Sequence, residues 1–299
     1  MKSICLFCSY FNSNNIPNYV QFYVKELARH FTQVVFITNE KKLSGTSLTF
    51  LETNKIEPFF VSNEGHDFGM WYKGMLKYNV EEYDRVGLIN DSCILFKPLD
   101  EYFNWLNNQY LDFAGMTDSD EITYHIQSYF LIINKKAIEP TLQFFKKHGI
   151  QSDRGEVIKI YELGLCNYLQ LKGLKAGAYF QSKIYMPKDN PSIYAAHKMI
   201  KDGSPLIKKK ILFNSFTLGE YREIEKHDFN HNPKFYISCI RGSNKKTLLF
   251  DFNLLKADGY NPNLKRVVLW SERAKDNLLS GLKVIYRKLK IRELRDKLS

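Results

Sequence analysis

The chain has 299 residues, of which 44% are apolar and 15% aromatic, enough for one large α/β domain with a substantial core. This composition excludes a mainly disordered protein, and no window approaches the ~18 consecutive apolar residues of a transmembrane helix. The formal net charge of +11 indicates an anionic partner, which leaves nucleic acid, a membrane surface or a phosphorylated small molecule.

Short apolar strands alternate with amphipathic helices over the first two hundred residues. This alternation predicts an α/β fold whose mostly parallel, Rossmann-type sheet is covered by helices on both faces. The predicted strands are 3–9, 33–38, 56–61, 85–89, 112–116 and 128–133. The predicted helices are 19–30, 68–76, 99–107, 136–147 and 154–171.

The five cysteines have no framework spacing, and their odd number favours a reducing compartment. Cys5 and Cys8 form a C-x-x-C pair inside the first predicted strand. Alternation along a strand puts their sulfur atoms on opposite faces, so we expect both to be structural. The N-terminal stretch is too polar beyond Tyr10 for a secretory signal, so we expect a cytoplasmic protein.

The character of the chain changes near residue 211 and again near residue 276. We therefore divide it into residues 1–215, residues 216–275 as a C-terminal part of the same domain, and residues 276–299. The last segment holds seven basic and three acidic residues beside an apolar stripe, which is typical of a basic amphipathic helix at a membrane surface. An ordinary surface helix with solvated charges is the alternative. A DNA-binding arm is less favoured because no known DNA-binding motif surrounds it.

A polar tripeptide, Asn90-Asp91-Ser92, ends the predicted strand 85–89. In open parallel sheets, ligands bind at the carboxyl ends of the strands. Asp91 supplies charge for a hard cation, and Asn90 and Ser92 supply neutral oxygens. Magnesium or manganese on a substrate diphosphate needs only one or two carboxylates. The alternative is a simple turn, because these residue types bond their own backbone.

Five further polar blocks lie beside predicted strand ends or helix starts. They are NEGHDFGMW at 63–71, DFAGMT at 112–117, HIQSYF at 125–130, YELGL at 161–165 and GSPLIK at 203–208. Together with Asn-Asp-Ser, and in this order, they resemble the rhamnan synthesis F family of bacterial glycosyltransferases over about residues 1–215.

This resemblance implies a GT-A-like fold and an inverting transfer of a sugar, most often L-rhamnose from dTDP-rhamnose. The product is a bacterial cell-surface polysaccharide: an O-antigen, a capsule or a rhamnan. The acceptor is a lipid-linked glycan at the inner face of the cell membrane, where residues 276–299 would make peripheral contact with anionic lipid. Residues 216–275 would then contribute acceptor-side elements.

The residues expected to bind the donor and its diphosphate are Asp67, Asn90, Asp91, Ser92 and Lys208. Asn-Asp-Ser is similar to a degenerate D-x-D motif with one acid. We therefore expect a divalent cation, Mg²⁺ or Mn²⁺, at Asp91, although the single acid leaves metal dependence open. Asp67 has the alternative role of capping a helix. Lys208, followed by two more lysines, neutralises the leaving diphosphate or belongs to a solvated charge run.

The residues expected to bind the sugar or the acceptor are Trp71, Thr117, His125 and Gln127. Trp71 either stacks on a ring or fills the core, and the core is favoured. His125 and Gln127 share one face of a predicted strand, where they would reach sugar hydroxyls or be ordinary structural residues.

Glu162 lies in an otherwise apolar helical stretch, and inverting sugar transfer needs one base near the acceptor hydroxyl. The order of blocks is similar to that of inverting GT-A enzymes, so we predict that Glu162 is this base. Asp118 and Asp120 are the alternatives.

Two other classes of function remain open. A degenerate transferase domain would bind a glycan or a partner enzyme without catalysis, as the single acid at 90–92 allows. A nucleic-acid-binding protein is less favoured, because much of the basic excess lies in residues 276–299. We therefore expect no nucleic-acid partner.

Overall fold

A computed structural model describes residues 1–11, 13–39 and 42–209. The expected acceptor-side elements in 216–275 and the expected basic helix at 276–299 lie outside these residues. The segments Ser3–Ser9 and Gln33–Thr38 form strands with the predicted bounds.

The strands of the described residues are β1 Ser3–Ser9, β2 Gln33–Thr38, β3 Ile56–Phe60, β4 Arg85–Asn90, β5 Cys93–Leu95, β6 Phe113–Ser119, β7 His125–Ile126, β8 Phe130–Asn134, β9 Ala176–Phe180 and β10 Leu206–Lys208. The helices are α1 Asn18–Leu27, α2 Gly45–Thr53, α3 His66–Lys77, α4 Asp100–Asn107, α5 Lys135–His148, α6 Arg154–Val157, α7 Gly164–Leu171, α8 Ser182–Tyr185, α9 Pro191–Tyr194 and α10 Ala196–Lys201. A 3₁₀ turn covers Val80–Glu82, and a π-helical turn, Ile158–Leu163, joins α6 to α7.

The central sheet has the strand order β3-β2-β1-β4-β8-β6-β7, and β9 pairs with β6. The strands β3, β2, β1 and β4 run parallel, as do β6 and β9, while β8 is antiparallel to both β4 and β6. The predicted fold class, α/β with a mostly parallel sheet, is confirmed. A separate pair, β5 with β10, is antiparallel.

Every residue of β1 is buried, because helices cover both faces of the sheet. Leu6 and Cys8 belong to a core cluster with Met70 of α3. On the other face, Phe7 packs edge-on against Tyr23 of α1, with ring centroids 5.2 Å apart. The Cys5 and Cys8 thiols form no disulfide, and burial raises the pKa of both, which fits a structural role.

The strand predicted through the HIQSYF block, residues 125–130, is wrong in its continuity, and the strand predicted at 128–133 begins at Phe130. His125 pairs with Ser119 at the far end of β6, whereas Phe130 begins β8, which pairs with the start of β6. A turn at residues 128–129 separates the two short strands. The alternation that placed His125 and Gln127 on one strand face therefore does not apply.

Two glycines shape the start of α3. Gly65 has φ +75°, and His66 after it has φ +54°, both in the left-handed region. A Cβ on Gly69 would lie 1.9 Å from the Glu64 carbonyl oxygen. This tight turn sets Asp67 in the first turn of α3.

We expect Gly69→Ala to lower the free energy of unfolding by roughly 1–3 kcal/mol, since the added methyl meets backbone rather than a movable side chain. Gly45→Ala is the control, because nothing lies within 4 Å of its Cβ position and alanine is the better helix former. Urea unfolding followed by circular dichroism measures both. Equal stability of the two variants would contradict the close approach.

Candidate functional site

The site lies at the carboxyl edge of the sheet, where β1 and β4 end side by side. Cys8 pairs with Asn90 in the register of these parallel strands. The Asp91 N–H then donates to the Cys8 carbonyl oxygen at 3.2 Å. The strand ends therefore bring Asp91 next to Ser9, the last residue of β1.

Oδ2 of Asp91 accepts three hydrogen bonds. The donors are the Ser9 hydroxyl at 3.0 Å, the Tyr19 hydroxyl at 3.0 Å and the Lys209 ammonium at 3.1 Å. The Lys209 ammonium also donates to the Tyr19 oxygen at 2.8 Å. Asp91 is 9% exposed, so this charge is compensated in a largely desolvated place.

Asn90 and Ser92 form the turn that the sequence allowed as an alternative. The Ser92 N–H donates to Asn90 Oδ1 at 3.0 Å. The same Asn90 side chain donates from Nδ2 to Oδ2 of Asp67 at 2.7 Å. The Ser92 carbonyl accepts from the Lys209 N–H at 2.9 Å. The turn is therefore part of the site, because Asn90 holds the Asp67 side chain and Ser92 holds the Lys209 backbone.

Asp67 is the most perturbed acid in this region. Burial and, after it, the nearby Asp91 raise its pKa to about 7, and Glu162 adds to the rise. The hydrogen bond from Asn90 and the charge of Lys209 act in the opposite direction. Asp91, Glu162 and Lys209 therefore all act electrostatically on Asp67, and we call these four residues the carboxylate cluster.

Glu162 lies in the π-helical turn between α6 and α7. Its Oε1 accepts a hydrogen bond from the Ser128 hydroxyl at 3.1 Å, and its side chain is partly exposed. Such turns are frequent at functional sites, because the extra residue redirects the side chains around it. The predicted helix over 154–171 is thus continuous but locally widened where Glu162 lies.

Thr117 and Gln127 are buried and bonded to each other. The Thr117 hydroxyl donates to Gln127 Oε1 at 2.6 Å and lies 2.8 Å from the Tyr129 hydroxyl. His125 is 6% exposed, and its Nδ1 lies 2.9 Å from the Thr123 carbonyl oxygen. These contacts favour the structural role that the sequence left open for His125 and Gln127, and they give Thr117 the same role.

Trp71 has no exposed surface, and its ring packs edge-on against Phe68 with centroids 5.1 Å apart. The structure places it in the core, so no face of the ring is open to a sugar. Trp71 follows Phe68 by nearly one turn of α3, so both side chains lie on the same buried face of that helix.

Asp118 and Asp120, the alternative candidates for the base, are hydrogen-bonded to the backbone of residues 182–188. Asp118 accepts from the Ser182 N–H, and Oδ1 of Asp120 accepts from the Lys188 N–H at 2.8 Å. Burial also raises the pKa of Asp118. Both carboxyls anchor residues 182–188 to the end of β6, which makes them poor candidates for a base.

Lys209, rather than Lys208, contacts Asp91. Lys208 is the last residue of β10, paired with Cys93, and its ammonium lies 4.7 Å from the centre of the Tyr129 ring. Lys209 lies beyond the end of β10, and its ammonium reaches Asp91 instead. The lysine in contact with the acid of the 90–92 turn is therefore Lys209, one residue beyond the Lys208 that the sequence predicted at the leaving diphosphate.

The expected divalent cation does not fit Oδ2 of Asp91, because two hydroxyls and an ammonium already donate to that oxygen. Elsewhere in the described part of the chain, ligand atoms of Glu26, His30 and Asp100 lie within 4.8 Å of one another. There the Arg29 guanidinium bonds to Glu26 at 2.8 Å and to Asp100 at 3.1 Å. That group is an ion-pair network.

The profile of the family described as rhamnan synthesis protein F matches residues 34–233. The chain belongs to this family. The family resemblance stated from the sequence is confirmed. Virulence protein VirA of Vibrio anguillarum is 26% identical in an alignment that covers 78% of this chain and 88% of that protein.

Solved structures resemble this chain more distantly. A Bacillus anthracis protein described as a glucose-1-phosphate thymidylyltransferase has a TM-score of 0.42 and 15% identity, covering 59% of this chain and 86% of its own. A nucleotide-diphospho-sugar transferase from Desulfovibrio desulfuricans has a TM-score of 0.41 and 13% identity, covering 81% and 99%. Similarity at this level identifies neither a substrate nor an activity.

Membership in this family supports a glycosyltransferase that uses a nucleotide sugar in polysaccharide synthesis. Within the residues that the structure describes, no helix combines the length and apolar character needed to cross a membrane.

The sequence prediction missed Ser9, Tyr19, Ser128 and Lys209. Ser9 could have been found by the rule that pointed to Asp91, since Ser9 is the last residue of a buried parallel strand and Asp91 directly follows another. Tyr19 looked like one member of an apolar helical stripe. Ser128 and Lys209 depend on turns and pairings that join distant parts of the chain.

We expect the stability of wild type relative to Asp67→Asn to fall as the pH rises. A carboxyl whose pKa rises from 3.8 to about 7 on folding binds its proton more tightly in the folded state. Its contribution to stability is therefore present below about pH 4 and lost as pH rises through about 7. The asparagine side chain does not titrate, so the variant gains on wild type over that window.

Urea unfolding of both proteins between pH 4 and pH 8 measures this difference. Glu52→Gln, which removes an exposed carboxyl on α2, is the control and should show no such trend. A constant difference between wild type and Asp67→Asn across the window would contradict the raised pKa.

Proposed function

We propose that the protein is an inverting glycosyltransferase that moves L-rhamnose from dTDP-rhamnose onto a lipid-linked glycan. The product is a bacterial cell-surface polysaccharide such as an O-antigen, a capsule or a rhamnan. The main support is the carboxylate cluster at the carboxyl edge of an α/β sheet, in which Lys209 contacts Asp91, and Asp91, Glu162 and Lys209 all influence Asp67. Membership in the rhamnan synthesis protein F family supports the same reaction class.

The transfer is a single displacement. Glu162 takes the proton from the acceptor hydroxyl, and that oxygen attacks the anomeric carbon from the face opposite the nucleotide. The bond from the anomeric carbon to the diphosphate oxygen breaks, and the nucleoside diphosphate leaves with the electron pair. A β-linked donor therefore gives an α-linked product.

Glu162 suits the role of base for geometric reasons. The Ser128 hydroxyl holds one carboxylate oxygen, and the side chain remains partly exposed at the π-helical turn. Asp67 lies in the first turn of α3, fixed by Asn90, where it can bond donor hydroxyls. Asn90 and Ser92 shape the turn that carries Asp91 and receives Lys209. These residues bind and orient the donor while Glu162 moves the proton.

A non-catalytic module that binds a glycan or a partner is the second candidate. Two features favour it. The charge of Asp91 is already compensated, because Oδ2 accepts three hydrogen bonds. The tripeptide 90–92 also contains one acid rather than two. We place the transferase domain at residues 1–215, with acceptor-side elements in 216–275.

Residues 276–299 supply a membrane contact in this proposal. Their seven basic and three acidic residues would attract the anionic inner leaflet, where a lipid-linked acceptor lies. The protein then works in the cytoplasm, at the inner face of the cell membrane.

We expect wild type to release free nucleotide from dTDP-rhamnose when a glycan acceptor is present, and Glu162→Gln to lower kcat by roughly 10²–10⁴-fold. The glutamine keeps the size of the side chain but cannot accept the proton. Donor affinity should stay nearly unchanged. A panel of nucleotide sugars, with coupled detection of the released nucleotide, measures this.

Glu156→Gln is the matched control, because Glu156 is exposed on the neighbouring helix α6. It should keep wild-type rates. Full activity of Glu162→Gln would remove Glu162 as the base. Binding of a glycan without turnover of any donor would favour the non-catalytic module.

We expect the full chain to sediment with vesicles that contain anionic lipid and to leave them as salt rises. Replacing Lys283, Arg287, Lys288 and Lys290 by glutamine should weaken this binding, since each basic residue near an anionic surface contributes about 1 kcal/mol. Vesicles of zwitterionic lipid alone are the control. Equal sedimentation of wild type and variant would contradict the membrane contact.

A further inference from the structure

A lysine takes the place at Asp91 where a metal ion was expected. The Lys209 ammonium lies 3.1 Å from Asp91 Oδ2 and 2.8 Å from the Tyr19 oxygen. Its backbone N–H donates to the Ser92 carbonyl at 2.9 Å, directly beyond the pairing of β10 with β5. The backbone N–H and the ammonium of Lys209 are therefore both hydrogen-bonded to residues of the turn at 90–92.

We propose that Lys209 is the resident cation of the donor diphosphate subsite, and that this subsite binds a nucleoside diphosphate without a divalent metal ion. Asp91 is then a positioning residue that holds the ammonium, with Tyr19 and Ser9 completing its hydrogen bonds. This inference rests on the proposed transferase function and names how that site recognises its donor.

The ammonium can serve a second anion. An ammonium has three N–H donors, and the contacts with Asp91 and Tyr19 use two of them. The Lys209 side chain retains 24% of its accessible surface, against 12% for Asp91. The third donor and the exposed part of the charge are thus available to a phosphate oxygen, and a fixed cation beside a leaving diphosphate stabilises its developing charge.

A divalent cation at this oxygen would have to displace the ammonium. Mg²⁺ demands near-ideal octahedral oxygen ligands at about 2.0–2.1 Å, and donor hydrogens pointing at Oδ2 occupy that space. Three ligand atoms within 4.8 Å of one another occur in the described residues at Glu26, His30 and Asp100, and not within the carboxylate cluster. The geometry therefore favours the Lys209 ammonium, rather than a divalent metal ion, as the positive charge at Asp91.

The test is binding of inorganic pyrophosphate and of dTDP by isothermal titration calorimetry, with the full chain in excess EDTA and again in Mg²⁺. Wild type should bind both in EDTA, with little gain from Mg²⁺. Lys209→Met should weaken metal-free binding by at least about tenfold, because a charge-assisted contact is lost. Lys209→Arg should restore most of it.

Two further variants sharpen the comparison. Lys201→Met removes an exposed lysine at the end of α10 and should bind as wild type does. Asp91→Asn should keep metal-free binding within about tenfold, because the ammonium remains, whereas a metal ligand at this position would be indispensable. Thermal unfolding confirms that each variant is folded, and the wild-type comparison of EDTA with Mg²⁺ requires no variant.

Binding that occurs only with Mg²⁺ and is lost in Asp91→Asn overturns this inference and leaves the transferase function standing. Metal-free binding that is unchanged in Lys209→Met also overturns it. Absence of binding to dTDP, to pyrophosphate and to every nucleotide sugar, with and without metal, removes the proposed function as well.

Discussion

The parallel pairing of β1 with β4 is the constraint on which the candidate site depends. Both strands are buried along their full length, so a slip of one residue would turn every side chain to the opposite face of the sheet. The register that avoids this slip pairs Cys8 with Asn90 and brings Asp91 to the end of β1. Burial in the core thus fixes the position of a charged group at the edge.

The charges of the two acids at that edge, Asp91 and Asp67, are compensated to different degrees. Asp91 has an ammonium and two hydroxyls, whereas Asp67 has one amide and lies near two other acids. The pKa of Asp67 therefore rises to about 7, and near neutral pH this carboxyl is partly protonated. A carboxyl with a raised pKa beside other acids is a common arrangement in sites that bind and move protons. A partly neutral Asp67 also lowers the repulsion that a diphosphate would meet.

Local departures from regular structure concentrate around the same residues. Gly65 and His66 take left-handed conformations just before Asp67, and a π-helical turn carries Glu162. Each departure lowers the stability of the fold relative to regular structure, and such departures are frequent at functional sites. One departure precedes Asp67 and the other carries Glu162, and both residues belong to the carboxylate cluster, which favours positions shaped for binding rather than for folding alone.

The sequence by itself determined the α/β class, most strands and helices, the family and the strand end at Asn90-Asp91-Ser92, because these depend on local periodicity and on short ordered blocks. Tertiary structure decided the rest. It buried Trp71 and bonded Thr117 to Gln127 within the interior. It also placed Lys209 on Asp91 across 118 positions of the chain. Local patterns carry no information on such distant pairings, since strand order and register alone determine which side chains meet at the edge of the sheet.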